Sequence, residues 1–65
     1  MIVAKITQEQ ANELKGVQFI ENNFFNPIQD KNGNYIISLQ ELVYCSVDFA
    51  NSVDLIIFEP IEVSL

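Results

Sequence analysis

The chain has no histidine, no tryptophan and no arginine, and its one cysteine is Cys45. A single thiol excludes a framework of internal disulfides, and without histidine it cannot supply the ligands of a zinc site. Cys45 also lacks the base that would activate it as a nucleophile, and its apolar neighbours suit a small buried side chain. We therefore expect a protein that is not an enzyme, with no catalytic residue, no metal site and no cofactor.

Positive charge is scarce. Three lysines stand against nine acidic residues, which leaves a net charge of −6. Binding to nucleic acid needs a basic surface, so we expect no nucleic-acid partner. The acidic residues are spread along the chain, and their simplest effect is to keep the protein in solution. The alternative is an acidic surface that occupies a basic site on another protein.

Long apolar runs are missing as well. None is longer than the four residues at 55–58, which is far short of a membrane span. A basic and then apolar leader is also lacking, so we expect no secretory signal peptide. With 65 residues, of which 49% are hydrophobic, the chain has room for one domain, 1–65, and enough apolar side chains for a small core.

The first elements are signalled by their ends. Residues 2–6 are apolar and largely β-branched, which predicts a strand. Thr7 is suited to begin a helix, because Gln10 stands three residues later and completes a capping box. Gly16 lies where a left-handed residue often ends a helix. These signals predict a short helix over residues 8–15.

A second apolar segment, residues 17–20, predicts another short strand, and polar residues interrupt it before Phe24. Pro27 keeps Asn26 extended, so the chain around it should also be extended. Neighbouring side chains of an extended chain point to opposite faces. We therefore expect one of Phe24 and Phe25 to be buried, and the other to lie on the surface or in a partner.

Residues 30–41 fit two structures that exclude each other. The first is the calcium loop of the EF-hand family, whose oxygen-bearing positions would be Asp30, Asn32, Asn34, Ser38 and Glu41. That family has glycine at the sixth loop position, where this chain has Tyr35. The second is a hairpin that turns at residues 32–34 between strands 28–29 and 35–37. We favour the hairpin, and a degenerate EF-hand-like module that binds a divalent ion remains an alternative.

A second capping box follows the hairpin. Ser38 and Glu41 have the spacing that begins a helix, which predicts a helix over residues 39–45. If Ser38 is the N-cap, Ser38→Ala should destabilise the helix and Ser38→Asp should be nearly neutral.

The last segment is apolar on two sides. Residues 53, 55 and 57 share one face of an extended chain, and both faces are apolar at its centre, which predicts a buried strand. Pro60 marks an edge or a bend, and residues 61–65 alternate as a half-exposed strand. The expected fold is α+β, a small single domain in which an antiparallel hairpin or sheet packs with two short helices.

The five phenylalanines and two tyrosines are too many for so small a domain to hide. Exposed aromatic side chains and unpaired strands are where other chains attach. We expect the 61–65 tail to pair with another protein or with a second copy. The predicted interaction residues are Phe24, Phe25, Phe58, Ile61, Val63 and Leu65.

Three segments carry a resemblance to a known group: Ile6-Thr-Gln-Glu-Gln-Ala-Asn-Glu-Leu-Lys-Gly16, Phe24-Phe-Asn-Pro-Ile-Gln-Asp30 and Asn34-Tyr-Ile-Ile-Ser38. In these the chain resembles short uncharacterised proteins of phages that infect Bacteroidota hosts. The resemblance assigns no functional residue. It implies a phage-encoded protein of the virion or the host cytoplasm.

The expected function is a non-enzymatic interaction or assembly module, as a small structural component of a phage virion. Its partner would be another protein or further copies of itself. Two alternatives stay open: an acidic phage-encoded inhibitor that occupies a basic site on a host protein, and the ion-binding module described above.

Overall fold

The computed structural model describes residues 1–61. Within them the chain forms a small α+β fold of three helices and two antiparallel sheets, which confirms the expected fold class. In chain order the elements are β1 (Ile2–Ile6), α1 (Gln8–Leu14), β2 (Gln18–Ile20), β3 (Asn23–Phe24), β4 (Ile28–Gln29), β5 (Tyr35–Ile37), α2 (Leu39–Val43), α3 (Val47–Ser52) and β6 (Asp54–Ile57).

The larger sheet has the strand order β4-β5-β1-β6, and every neighbouring pair is antiparallel. The strand β1 lies inside the sheet, and Ala4 stands opposite Ile37 on one side and Leu55 on the other. Two strands, β4 and β6, therefore form the edges.

The helices cover one face of this sheet. The buried cluster on that face joins Ala4, Ile6 and Ile37 of the sheet to Ala11 of α1. Helix α2 packs on β1 and α1 packs on β5. Around the cluster, the half-buried side chains are Leu14, Tyr35, Leu42, Cys45, Phe49 and Val53.

The small β2–β3 hairpin is held by aromatic packing. Phe25 is only 5% exposed, and its ring centroid lies 4.7 Å from that of Phe19. Phe19 also lies 5.0 Å from the ring of Tyr44. Phe24, in contrast, is 55% exposed. The expectation that one of the two adjacent phenylalanines is buried is confirmed.

Both predicted capping boxes are present. The side chain of Thr7 accepts from the Gln10 amide, and the side-chain oxygen of Gln10 accepts from the Thr7 amide. Ser38 and Glu41 do the same at the start of α2. The hairpin of β4 and β5 is also as predicted. The predictions from local sequence signals therefore hold where the partners lie within a few residues.

The prediction of two helices is wrong, because residues 1–61 form three. The predicted 39–45 helix ends at Val43, and Ser46 begins α3 by accepting a hydrogen bond from the Phe49 amide. This third helix was missed because the interruption at residues 44–46 contains no glycine or proline. The serine N-cap was the only local signal for it.

The prediction that the last strand is buried on both faces is also wrong. β6 is an edge strand, and Leu55 and Ile57 are 60% and 61% exposed. Helices α1 and α2 pack mainly over β5 and β1, which leaves these two side chains of β6 largely uncovered. Ile61 is exposed and lies in no strand, and the rest of the predicted tail strand, residues 62–65, lies outside the described residues.

Candidate interaction surfaces

An apolar groove lies between the β2–β3 hairpin and the sheet face that the helices do not cover. We call it the Phe24 groove. Its cavity has a volume of about 350 Å³, which is at the lower end of the range for ligand pockets. The apolar side chains that define it are Met1, Val3, Phe19, Phe24, Ile28 and Phe58.

The hairpin places Phe24 on one wall of this groove. The Gly16 amide donates to the Phe25 carbonyl over 3.1 Å, and the Phe25 amide donates to the Val17 carbonyl over 2.8 Å. Asn22 has a φ of 64°, a left-handed conformation that asparagine tolerates in turns. With Phe25 turned into the core, Phe24 necessarily faces outwards.

Phe58 reaches the groove because the chain turns after β6. The Phe58 amide donates to the Met1 carbonyl over 2.8 Å, and the Lys31 amide donates to the Glu59 carbonyl over 2.9 Å. The side chains of Lys31 and Glu59 also form an ion pair of 3.0 Å. Both are about half exposed, so the pair contributes at most about 1 kcal/mol. These contacts return the chain towards the β4–β5 turn.

One end of the groove is polar, and Glu41 organises it. One carboxylate oxygen of Glu41 accepts from the Asn26 amide over 2.9 Å. The other accepts from the Ser38 amide over 3.0 Å and from the Ser38 hydroxyl over 2.9 Å. Glu41 therefore joins the start of α2 to the segment that follows Phe25, and both of its oxygens are engaged.

A second surface is the outer side of β6. We call it the β6 edge and define it by Leu55 and Ile57. The register pairs Ile57 with Ile2 and Ile56 with Val3, and the Phe58 amide points towards β1. Since amides alternate in direction along a strand, those of Leu55 and Ile57 point away from β1. Among residues 1–61, β1 is the only strand that pairs with β6.

Asp30 is 2% exposed and holds the β4–β5 turn. One of its oxygens accepts from the amides of Asn32 and Asn34, each over 2.9 Å, and the other accepts from the Asn34 side chain over 3.0 Å. Burial by itself raises the pKa of Asp30. The hydrogen bonds from Asn34 and Asn32 and the charge of Lys5 outweigh that effect, so the pKa lies below its ordinary value.

The hairpin interpretation of residues 30–41 is the one that the structure shows. The turn at residues 32–34 joins β4 to β5. The carboxylates of Asp30 and Glu41 accept from different main-chain amides, those of Asn32 and Asn34 for Asp30 and those of Asn26 and Ser38 for Glu41. In the described part of the chain, no three histidine, cysteine or acidic side chains come together as a metal site.

Cys45 is half-buried behind α2. Burial, and then the negative charge of Glu41, raise the pKa of its thiol. The thiol donates to the Glu41 carbonyl over 3.6 Å. It is therefore protonated at neutral pH and poorly suited to act as a nucleophile.

The predicted interaction residues divide into three groups. Phe24 and Phe58 come together in the groove. Phe25 is buried against Phe19, so its side chain is not on the surface. Ile61 is 63% exposed and does not line the groove, and Val63 and Leu65 lie outside the described residues.

Sequence reasoning missed the exposure of Leu55 and Ile57, and it missed Ile28 and Met1 as groove residues. The two-sided apolar pattern of β6 indicates a contact on each face, and it is the same whether this domain or another chain supplies that contact. For Ile28 and Met1, no signal in the local sequence places them beside Phe24.

Comparison with models of protein families, with curated proteins and with solved structures gives no match for this chain. Of the helices in the described region, none has the length and apolar character needed to cross a membrane.

Proposed function

We propose that this protein is a non-enzymatic interaction module that attaches to another protein chain through the Phe24 groove. The observation that carries this proposal is the pairing of an exposed aromatic side chain, Phe24, with an open apolar cavity beside it. A partner would insert one or two apolar side chains next to Phe24 and Phe58.

Burial supplies the binding free energy in this proposal. Covering one large apolar side chain is worth about 1.5–3 kcal/mol. Aromatic anchors in a pocket commonly carry a large share of the binding energy of an interface. Phe19 fixes the wall of the groove, because it is held between Phe25 and Tyr44. Little side-chain freedom is then lost at that wall when a partner binds.

The charge of this chain indicates which residues should flank the side chain that the partner inserts. A net charge of −6 favours a partner whose apolar anchor is flanked by lysine or arginine. The polar end of the groove, where Glu41 is hydrogen-bonded to Asn26 and Ser38, would face the rim of such a partner. Association with this partner should slow as salt is added.

Two of the groups that could take part in chemistry, Glu41 and Cys45, are engaged in hydrogen bonds within the fold. Glu41 is held by three hydrogen bonds, and the Cys45 thiol donates to a main-chain carbonyl. This supports a binding role over a catalytic one.

Site-specific photo-crosslinking tests the proposal. Benzoylphenylalanine in place of Phe24 keeps an aromatic ring at the groove, and the same residue in place of Glu13 on α1 is the matched exposed control. We expect one defined heterologous adduct from position 24, formed in the cells in which the protein is naturally made. The adduct partner is then purified and titrated with the wild type and with Phe24→Ser, which should bind at least about tenfold more weakly.

Three results would contradict the proposal: equal adducts from both positions, an adduct with this chain alone, or unchanged affinity of Phe24→Ser. Circular dichroism of Phe24→Ser confirms that the fold is kept.

We further propose, from the phage proteins that the sequence resembles, that the module belongs to a virion. Mass spectrometry of purified particles should then find the chain in fixed proportion to the major structural proteins. Its absence from washed particles, together with an adduct to a basic site of a host protein, would favour the inhibitor instead.

A further inference from the structure

We infer that the β6 edge is the contact between two copies of this chain, which join their sheets antiparallel through β6. This contact uses a different surface from the Phe24 groove and goes beyond the function proposed above. The partner is a second copy of this chain, and the two β6 strands pair in a defined register.

The first support is the direction of the main-chain groups. Leu55 and Ile57 present their N–H and C=O groups away from β1, as the bond from Phe58 to Met1 requires. In an antiparallel pair, two residues that both point at the partner exchange two hydrogen bonds. A two-fold axis at Ile56 satisfies this condition twice, with Leu55 of each copy opposite Ile57 of the other.

The second support is that the three central pairs of this register are apolar. Leu55 meets Ile57 on the face of Ala4, and Ile56 meets Ile56 of the second copy on the opposite face. Asp54 stands opposite Phe58 and not opposite another acid. Moving the axis by one residue towards the C-terminus places Leu55 opposite Glu59, and moving it the other way places Asp54 opposite Ile56. Of the three registers, only the one centred on Ile56 pairs residues 55, 56 and 57 of β6 entirely with one another.

The third support is that residues 1–61 give β6 none of the usual protection of an edge strand. In natural proteins, lysine, proline, bulges or a very short length keep an edge strand from pairing with another chain. The other edge of the sheet, β4, has only two residues. β6 has four, its register with β1 is regular, and its one charged residue, Asp54, lies opposite Lys5 of the same copy. Leu55 and Ile57 remain largely exposed.

Charge gives this contact a distinctive signature. Each copy carries a net charge of −6, so two copies repel one another at long range. The repulsion is screened beyond about 8 Å at physiological ionic strength and over shorter distances in more salt. Self-association should therefore strengthen as salt is added, whereas binding to a basic partner should weaken.

Sedimentation equilibrium of the full chain at low salt and at about 0.5 M salt tests the contact. We expect a monomer–dimer equilibrium for the wild type, tighter at high salt. Leu55→Lys should weaken it at least about tenfold. Val43→Lys is the matched control, because Val43 is also an exposed apolar residue, lies on α2, and undergoes the same change of charge. It should dimerise like the wild type.

The contact is overturned if the wild type stays monomeric at high micromolar concentration and high salt. Equal weakening by Leu55→Lys and Val43→Lys would overturn it too. Circular dichroism of both variants checks that the monomer fold is intact.

Disulfide formation tests the register in a Cys45→Ser background. In this register Ile56 faces its own copy in a non-hydrogen-bonded pair, where Cα atoms are about 4.5 Å apart, a distance that a disulfide can bridge. Ile56→Cys should then oxidise to a covalent dimer. Asp54→Cys should not, since its two copies lie roughly 13 Å apart along the strands. Equal or greater oxidation at position 54 would overturn the register.

Discussion

Single side chains hold the turns of this protein by pairing main-chain amides that the sheets and helices leave free. Asp30 accepts two amides and one side-chain amide in the β4–β5 turn. Glu41 accepts the amides of Ser38 and Asn26, which belong to different segments. Asp30 is buried, so a hydrogen bond lost there leaves a donor that water does not easily reach.

The cap at Ser38 gives a prediction at the level of one atom. Ser38→Ala removes an acceptor for the Glu41 amide and should lower the free energy of unfolding by about 1 kcal/mol. Ser38→Asp should also be destabilising, because the Ser38 hydroxyl donates to the Glu41 carboxylate, and an aspartate would oppose that carboxylate. Urea unfolding monitored by circular dichroism measures both.

The destabilisation expected for Ser38→Asp differs from the near-neutral effect that the capping signal alone predicts. The hydrogen bond from Ser38 to Glu41 is the reason. Ser46→Ala, at a cap that lacks the reciprocal side-chain bond, is the reference for a simple N-cap. An Asp variant as stable as the wild type would show that the hydroxyl does not donate to Glu41.

The stability of the protein should depend on the protonation of Asp30. Its pKa in the folded chain lies below the ordinary value, so its contribution is complete above the unfolded pKa of about 3.9. The contribution is lost as the pH falls through the folded pKa. Asp30→Asn removes a charged acceptor and should lower the melting temperature most near neutral pH.

Thermal unfolding of wild type and Asp30→Asn at about pH 7 and about pH 2.5 measures this effect. The difference in melting temperature should narrow at the lower pH. Asp48→Asn, at an exposed position of α3, is the control. A difference that stays constant across the two pH values would exclude Asp30 as the titrating group.

At the scale of elements, the helices are short, and packing against the sheet stabilises them. The longest helix, α1, has seven residues, which is too short to be stable alone in water. Each helix therefore depends on its cap and on packing. The two edges of the sheet also differ. β4 has only two residues, which is too short to pair well with another chain, whereas β6 has four.

The β4–β5 turn offers a test of backbone conformation without a change in packing. Gly33 has a φ of 81°, and a Cβ atom added there would meet no atom within 4 Å. Gly33→Ala should therefore cost about 1 kcal/mol from the left-handed backbone alone. Gly33→Asn should cost less, because asparagine tolerates that region. Equal losses in urea unfolding would mean that conformation is not the cause.

At the scale of the whole molecule, the chain is too small to enclose its apolar residues. Helices α1 and α2 cover one sheet face over β5 and β1, and the β2–β3 hairpin only partly closes the other. Apolar side chains are left at the groove and at the β6 edge. Small domains bury a smaller share of their surface than large ones, so further chains can supply the missing cover.

Truncating the chain distinguishes the contribution of the tail, residues 61–65, to self-association from that of the β6 edge. A chain that ends at Pro60 keeps β6, Phe58 and the Lys31–Glu59 ion pair. We expect it to fold and to self-associate like the full chain, measured by sedimentation beside the wild type. A folded but monomeric truncated chain would assign assembly to residues 61–65, as the alternation of the sequence suggests, and would contradict the β6 contact.

The sequence by itself determined the local structure of this protein. Thr7 with Gln10, Ser38 with Glu41, and Gly33 act on partners within a few residues, so propensity and spacing were sufficient to predict the caps and the hairpin. The α+β class followed from the same signals. The local signals do not predict the third helix, α3, because the N-cap Ser46 is the only one that marks it.

Only the tertiary structure decided which apolar residues are left uncovered. Leu55 and Ile57 have the pattern of a buried strand, and their exposure depends on where α1 and α2 pack. Phe24 and Phe58 are distant in the chain and meet because the hairpin and the turn after β6 converge. A periodic pattern records that a face is apolar, and the arrangement of the other layers determines whether this chain or another one covers it.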